Sequence, residues 1–409
     1  MTSADRRFAV MFVDDEPLVL QGLQRMLRPE RERWDMRFVR SGAEALGLLE
    51  REPFDAVVSD LRMPEMDGAA LLAAVMDRYP HMARIVLSGE MDRELTFRTV
   101  HCAHQFLSKP CDADTLKQTL ARASSLRRLL NDRKLKSLLP RLESLPSLPA
   151  LSTEIRAEIQ APNSSVRKVG DLVARDLGMT AKILQLVNSA FFGLARRVAS
   201  PQDAVSLLGY DTVRALVLSA KIFSQVDLSR IPGLWLDALW QHSFSTSLFA
   251  RAIGVGEKLP RKAQDEAFTA GILHDLGQLI LAQNFPDAYA EAITLSGRSG
   301  RPLWEVETER FGASHAELGA YLLGLWGIGE DVVGAVAQHH QPPPAGSAAR
   351  VTAVVFAANL IDHRLAAEPA AGEIPAGEAD ALRQLEVYER IPAWEDACRK
   401  IRLEEALRA

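Results

Sequence analysis

Cysteine is scarce in this chain: three among 409 residues, Cys102, Cys111 and Cys398, at no spacing that suits a metal or a disulfide framework. Sparse, unpaired thiols fit a reducing compartment, so a cytoplasmic protein is expected. No apolar run reaches the roughly 18 to 20 residues that a bilayer-crossing helix needs, and no membrane insertion is expected. The start, MTSADRRFAVMFVDDEP, meets carboxylates almost at once and does not read as a signal peptide. Positive charge is not in excess either: 48 Lys and Arg face 53 Asp and Glu, a net charge of −5. Nucleic acid is therefore not an expected partner, because phosphate binding needs concentrated cations, and no basic recognition-helix pattern is present.

What remains is a globular composition in a chain too long for one core. At roughly 150 residues per domain, two or three domains are expected. The first part alternates short apolar runs with helical patterns. Strands are predicted over 8–13, 36–39, 55–59, 84–87 and 105–107, with helices over 17–27, 43–50 and 68–79 between them. Repeated βα units of this length imply a parallel sheet with helices on both faces, and such sheets gather reactive groups at the carboxyl ends of their strands.

The polar residues at those ends form a set. Asp14 and Asp15 follow the first strand, Asp60 the third, Ser88 the fourth and Lys109 the fifth. Clustered carboxylates suit Mg²⁺, a hard cation that accepts phosphate as a further ligand. An aspartate there can act as a nucleophile and become an acyl phosphate, with the metal and the lysine neutralising charge on the phosphoryl oxygens. The segments VDDEP, SDLRMPEMDG, LSG and FLSKP, in this order, resemble the signature of response-regulator receiver domains over about residues 8 to 125. The resemblance implies a flavodoxin-like doubly wound sheet of five parallel strands, with Asp60 as phosphoacceptor. It also implies Mg²⁺ on Asp15, Asp60 and the backbone carbonyl of Arg62, with Asp14 assisting through water. Ser88 and Lys109 then contact the phosphoryl group, Phe106 occupies the aromatic switch position, and Pro110 follows a cis peptide bond.

From Asp114 to about Leu139, Leu116, Leu120, Ala123, Leu126 and Leu130 recur at steps of three and four, one helix ended by Pro140. Its second half carries Arg127, Arg128, Arg133, Lys134 and Lys136, read as a solvated face. Beyond LPSLPAL the pattern is helical to about Leu365, without a convincing strand, and a Pro/Ala/Gly/Glu linker leads to charged helices over 380–389 and 394–407. The expected organisation is a unit over 6–126, a helical linker over 127–140, a helical unit over 141–365 and a tail over 366–409. The extended linker helix makes a homodimer plausible.

Five of the six histidines after residue 140 fall at informative positions: His242, His274, His315, His339 and His340, with Asp275 next to His274 and Asp362 later. His242 shares a face with Ala238, Leu239 and Phe249. His274 shares one with Ala267, Ala270 and Gly271, small residues that let another helix approach. Ser314 and Glu317 bracket His315 as a capping box, where the helix dipole favours neutral imidazole. Asp362 lies on the stripe of Val351, Val355 and Ala358. Inward imidazoles and carboxylates from several helices are what a one- or two-metal hydrolytic site requires.

The stretches GMTAKILQLVNSAFFG, SPQDAVSLLGYDTVRALVL, AFTAGILHDLGQLIL, FGASHAELGAYLLGLW and AVAQHH resemble the HD-related output domain, HDOD, of the HD phosphohydrolase superfamily. That resemblance implies an all-helical output domain in which His242, His274, Asp275, His315, His339, His340 and Asp362 match metal ligands for Fe, Mn or Zn. Gln278 stands where HD-GYP phosphodiesterases carry a lysine, QPPPAG replaces their GYP segment, and Leu177 replaces the proline of the HDOD DP step. Two readings follow. One is a response regulator, phosphorylated by a histidine kinase or phosphotransfer protein, whose output domain binds downstream signalling proteins without chemistry of its own. The other is a receiver-gated, metal-dependent phosphohydrolase of the cyclic-dinucleotide phosphodiesterase kind.

Overall fold

A computed structural model of the chain describes residues 7–89, 102–129, 149–161, 164–188, 197–210, 233–341, 350–367, 376–384 and 387–408, with a few isolated residues between these stretches. The N-terminal unit is the expected five-stranded sheet. Its strands are β1 (Phe8–Val13), β2 (Trp34–Val39), β3 (Ala56–Asp60), β4 (Ala83–Ser88) and β5 (Gln105–Ser108). They lie in the order β2-β1-β3-β4-β5, every pair parallel. The apolar runs of β1, β3 and β4 are buried throughout because helices cover both faces. Those helices are α1 (Pro17–Met26), α2 (Gly42–Leu49), α3 (Gly68–Arg78) and α4 (Ala113–Leu129).

Local chemistry sets the boundaries. Pro17 opens α1, the Ser41 hydroxyl accepts from Glu44 N–H to cap α2, and the Asp67 carboxylate accepts from Ala70 N–H to cap α3. Gly68 lies so close under β3 that a Cβ there would stand 2.0 Å from the Asp60 carbonyl oxygen. Three ends differ from the sequence reading. β2 begins at Trp34, which pairs with Phe8 and is buried. Asp60 and Ser88 are the last residues of β3 and β4, because the ladder between these strands extends to Asp60. In α4, Leu116, Leu120 and Ala123 are buried as the periodicity requires. The rest of the predicted long helix, and with it the basis for a dimer, lies outside the described residues.

Among the described residues the second unit is helical apart from a two-residue parallel pairing of β6 (Leu145–Pro146) with β7 (Phe223–Ser224), which the sequence reading did not include. Its first helices are α5 (Pro149–Gln160), α6 (Val166–Val173), α7 (Leu177–Val187) and α8 (Pro201–Leu208). Then follow α9 (Gly233–Gly256), α10 (Arg261–Leu273), α11 (Leu276–Asn284), α12 (Pro286–Ser299), α13 (Leu303–Phe311), α14 (His315–Leu325), α15 (Glu330–Gln338) and α16 (Arg350–Ala366). The expected small-residue approach is present: a Cβ on Gly271 of α10 would lie 2.6 Å from Ser247 Cα of α9. The tail is not a free appendage. Its helices are α17 (Ala376–Gln384) and α18 (Ile391–Arg408), and α18 packs on α9 and α16 with Trp394 and Cys398 buried.

The two units meet along the edge strand β5 and where α4 packs on α14. Gln105 Nε2 donates to Leu325 O at 2.7 Å, and Gln185 Nε2 donates to Ala103 O at 3.0 Å and His104 O at 3.2 Å. Gly327 has φ of 78°, and a Cβ there would come within 2.5 Å of Gln105 Nε2, so both the turn and the contact require glycine. Behind the contact the Arg84 guanidinium donates to Cys102 O at 2.6 Å and Pro80 O at 3.0 Å, and Arg84 N–H donates to His104 Nδ1 at 3.0 Å.

Burial, reinforced by Arg84 and Lys182, holds His104 well below the usual histidine value of 6.5, so the folded protein keeps it neutral. Above that value His104 is neutral in both states. As pH falls below it, the unfolded chain takes up a proton that folded His104 refuses, and stability is lost. The thermal midpoint should therefore fall less steeply with acidification in His104→Asn than in the native protein. Equal slopes would assign the acid sensitivity to other groups.

Candidate functional site

The first site sits where the parallel strands end. Asp14 follows β1, Asp60 ends β3 and Lys109 follows β5, so three chain segments distant in sequence converge. Lys109 Nζ lies 2.8 Å from Asp14 Oδ2 and also pairs with Asp60 Oδ1. Asp60 Oδ2 accepts from Arg62 N–H at 2.7 Å, and Asp14 Oδ1 accepts from Glu16 N–H at 3.0 Å. Asp14 and Asp60 are buried, Asp15 is half-buried beside them, and Ser88 ends the neighbouring strand. Phe106 is fully buried in β5, and the Lys109–Pro110 peptide is cis.

Burial raises the Asp60 carboxyl above its ordinary value and the Asp14 charge adds to this, while Lys109 pulls the other way. Burial likewise opposes the Lys109 charge, yet the two carboxylates hold its ammonium above the usual lysine value. The carboxylates of Asp14 and Asp60, drawn together on Lys109 with Asp15 next in sequence, offer hard oxygens of the kind that suit Mg²⁺. The Lys109 ammonium meets that cluster as the countercharge.

The second site is a cavity of about 1180 Å³ in the helical unit, lined by His242, Asp275, His315, His339, His340 and Asp362 among others. Asp275, in the turn between α10 and α11, is its centre. Asp275 Oδ1 lies 3.1 Å from His315 Nε2 and 3.5 Å from His339 Nε2. Asp275 Oδ2 lies 3.3 Å from His274 Nε2 and 3.7 Å from His242 Nε2. The candidate ligand atoms of Asp275, His315, His339 and His340 lie within 4.8 Å of one another, as do those of His242, His274 and Asp275. One carboxylate thus serves two clusters with its two oxygens.

The outer nitrogens are committed elsewhere. His274 Nδ1 bonds Gly271 O at 2.7 Å, His339 Nδ1 bonds Val336 O at 2.7 Å and His315 Nδ1 bonds Glu307 Oε2 at 2.6 Å. His242 Nδ1 bonds Asp362 Oδ2 at 2.7 Å. Each ring thereby turns Nε2 inward, the arrangement by which a protein orients imidazoles for a metal. Asp362 stands behind His242 and outside both clusters, while its Oδ1 and Asp275 Oδ1 are buried without a hydrogen-bond partner among the described residues. A nitrogen and carboxylate donor set with orphaned carboxylate oxygens fits divalent transition metals.

The electrostatics correct one expectation. Burial opposes charge on His315, but Glu307 and Asp275 lift it to about 10, so the neutral ring expected from the helix dipole is not what the site favours. The capping box itself is present. The dipole's contribution is smaller than that of two adjacent carboxylates. Burial disfavours charge on Asp275 too, yet the surrounding imidazoles, His274 first, hold its carboxyl well below the ordinary range.

Two residues escaped the sequence reading. Glu307 is fully buried and accepts from His315 N–H at 2.8 Å and from Tyr289 OH at 2.8 Å. Its signal was available, since Leu303, Glu307 and Phe311 share one helix face at steps of four and a carboxylate interrupts an apolar stripe. His363, the histidine left out of the set, lines the same cavity and stacks on His242 with centroids 4.5 Å apart. Gln278 also lines the cavity, where Tyr289 OH reaches its Oε1 at 3.4 Å.

The backbone must come close to assemble this set. A Cβ on Gly277 would fall 2.0 Å from His315 O. Gly277→Ala should destabilise by roughly 1–3 kcal/mol or more through overpacking. Gly297→Ala, whose Cβ meets nothing within 4 Å, should instead be neutral or stabilise slightly. Urea unfolding of the two variants checks the contrast, and equal effects would contradict the close approach.

Comparison with known proteins gives two family matches. Residues 10–121 match the response regulator receiver domain and residues 145–342 the HDOD domain. A Treponema pallidum protein, described only as uncharacterized, is 26% identical over 213 residues, 51% of this chain and 40% of that one. The transcriptional regulatory protein GlrR of Escherichia coli is 38% identical over 112 residues, 27% of this chain and 25% of that one. The chain thus spans less than half the length of these curated relatives. The crystal structure of the MmoQ response regulator of Methylococcus capsulatus is 28% identical, covers 59% of this chain and 91% of that one, and has a TM-score of 0.48.

Proposed function

This chain joins a response regulator receiver domain to an HDOD output domain, and on that premise we propose a phosphorylation-controlled regulator. Asp60 takes a phosphoryl group from a histidine kinase or phosphotransfer protein. A carboxylate oxygen attacks phosphorus, the P–N bond of the donor phosphohistidine breaks, and the imidazole leaves with the electron pair. The observation that carries the reading is the Lys109 ammonium, held against both Asp60 and Asp14 at the strand ends. It stabilises the charge that develops on the phosphoryl oxygens. Ser88, at the end of the adjacent strand, supplies a hydroxyl. Asp14, Asp15, Asp60 and the Arg62 carbonyl would hold magnesium, which screens carboxylate and phosphoryl charge when bound.

The signal then travels a short way. Lys109 follows β5 directly, and the residues around the start of that strand are those that meet Gln185 and Leu325 of the output domain. A phosphoryl group adds about −1.5 to −2 charges and redirects Lys109. Tension on β5 alters its docking and with it the surface that the HDOD domain offers to downstream signalling proteins. Incubated with a small acyl-phosphate donor and magnesium, the protein should gain one acid-stable, base-labile phosphoryl group, and Asp60→Asn should gain none. Amide exchange over residues 102–107 should change in parallel. Phosphorylation without that change would leave the acceptor in place and remove the relay.

The two-sided position of Asp275 favours a second reading of the output domain, a metal-dependent phosphohydrolase gated by the receiver. His242, His274, Asp275, His315, His339 and His340 would hold the metals, whose chemistry when bound is to activate water and polarise a phosphoryl oxygen. Gln278, in place of a cation, weighs towards the binding role. Protein purified without chelator should contain iron, manganese or zinc, and His274→Ala should lose most of it. Turnover of phosphate esters by the metal-bearing protein would decide for the enzyme.

A further inference from the structure

His104 is buried where the two units touch, and its main chain belongs to the contact. Its carbonyl oxygen accepts from Gln185 Nε2 of the helical unit at 3.2 Å, and its N–H donates to Arg84 O at 2.7 Å. The ring lies against the same arginine. Nδ1 accepts from Arg84 N–H at 3.0 Å, and Nε2 stands 3.0 Å from Arg84 Nη2. A guanidinium has donors only, and a neutral imidazole carries one ring proton. Whichever nitrogen holds that proton, its N–H points at a donor. A second proton would set N–H against N–H on both sides of the ring.

The surroundings add positive charge. Lys182 of α7 is 3% exposed, donates to Gln185 Oε1 at 3.2 Å and lies over the Trp326 ring, 4.9 Å from its centroid. Burial first, then the charges of Arg84 and Lys182, keep His104 neutral. Arg122 of α4 lines, with His104, a gap of about 10 Å³ that Gly324 and Leu325 of α14 close from the other unit. So small a space holds at most one water, and the ring has little solvent to turn to. Cys102 and Tyr321 of α14 also face Arg84, and burial disfavours charge on both. Asp77 of α3 bears on Arg84, and Asp67, the cap of α3, bears on Cys102.

We propose that His104 is an acid-sensitive latch on the domain seam: a proton taken up by its ring cannot be held in the closed contact, and the helical unit is released from β5. The closed seam holds the ring well below the usual histidine value of 6.5, whereas a ring freed to solvent takes a proton near that value. The contact therefore keeps its full strength above 6.5 and loses it as pH falls through that value, because the open state alone binds the extra proton. Below it, the ratio of open to closed protein should grow by up to about tenfold for each pH unit. The latch shares the seam with the proposed phosphoryl relay but needs no phosphoryl group.

The test is small-angle X-ray scattering of the full-length, unphosphorylated protein as it elutes from a sizing column, with circular dichroism beside it. The pH runs from about one unit above the ordinary histidine value to about one unit below. The radius of gyration should rise on acidification while helical content holds. His104→Asn, whose side-chain oxygen can accept from Arg84 N–H and does not titrate, should stay compact throughout. His104→Gln repeats the comparison in the event that asparagine disturbs the fold. Unchanged scattering in the native protein, the same expansion in the folded variants, or expansion only together with loss of helix would overturn the latch. Loss of phosphorylation at Asp60 would leave the latch standing, and loss of the latch would leave the acceptor chemistry intact.

Discussion

One ammonium group holds together the carboxylates at the strand ends of the N-terminal unit. Lys109 shares its charge between Asp14 and Asp60, two carboxylates brought from separate strands into a half-buried space. Without that cation, like charges so close would drive each other towards protonation. The lysine can reach both because β5 ends beside them, and β5 is also the edge against which the helical unit rests. The placing of this charge and the domain contact are therefore demands on the same four-residue strand.

The second unit meets an analogous demand with opposite signs. Asp275 is a buried carboxylate surrounded by imidazoles, and it is tolerable only because those rings are near enough to compensate it. That proximity is a backbone matter. Gly271 and Gly277 let helices approach to distances that any side chain would forbid. Glu307, Asp362 and two main-chain carbonyls then fix the ring orientations from behind. Glycine contacts, outer hydrogen bonds and inner donor atoms form one arrangement, and weakening any layer loosens the others.

Much of this was legible in the residues. The order of carboxylates, hydroxyl and lysine at strand ends specified the first site, because a parallel sheet places all strand ends on one edge. The inward faces of His242, His274 and Asp362 followed from helical periodicity, and the capping box at Ser314 and Glu317 is present as read. What escaped was what periodicity does not encode. Glu307 acts on a histidine in the following helix, across a glycine turn. His363 follows Asp362 on the same helix, and its stacking on His242 comes from how two helices pack. The His315 charge reverses the dipole argument because two carboxylates, neither adjacent in sequence, outweigh it. Tail composition gave no indication that α18 closes against α9 and α16.

Beside the packing of α4 on α14 and an ion pair of Arg122 with Glu330, part of the seam between the two units is made of side-chain amides reaching main-chain oxygens: Gln105 to Leu325, and Gln185 to Ala103 and His104. A carbonyl oxygen is chemically the same whatever side chain its residue carries. That part of the seam constrains the two glutamines and the turn at Gly327 while leaving the facing positions free to vary. Paired substitutions across it should consequently be rare during divergence, and methods that infer domain docking from correlated replacement would pass over it.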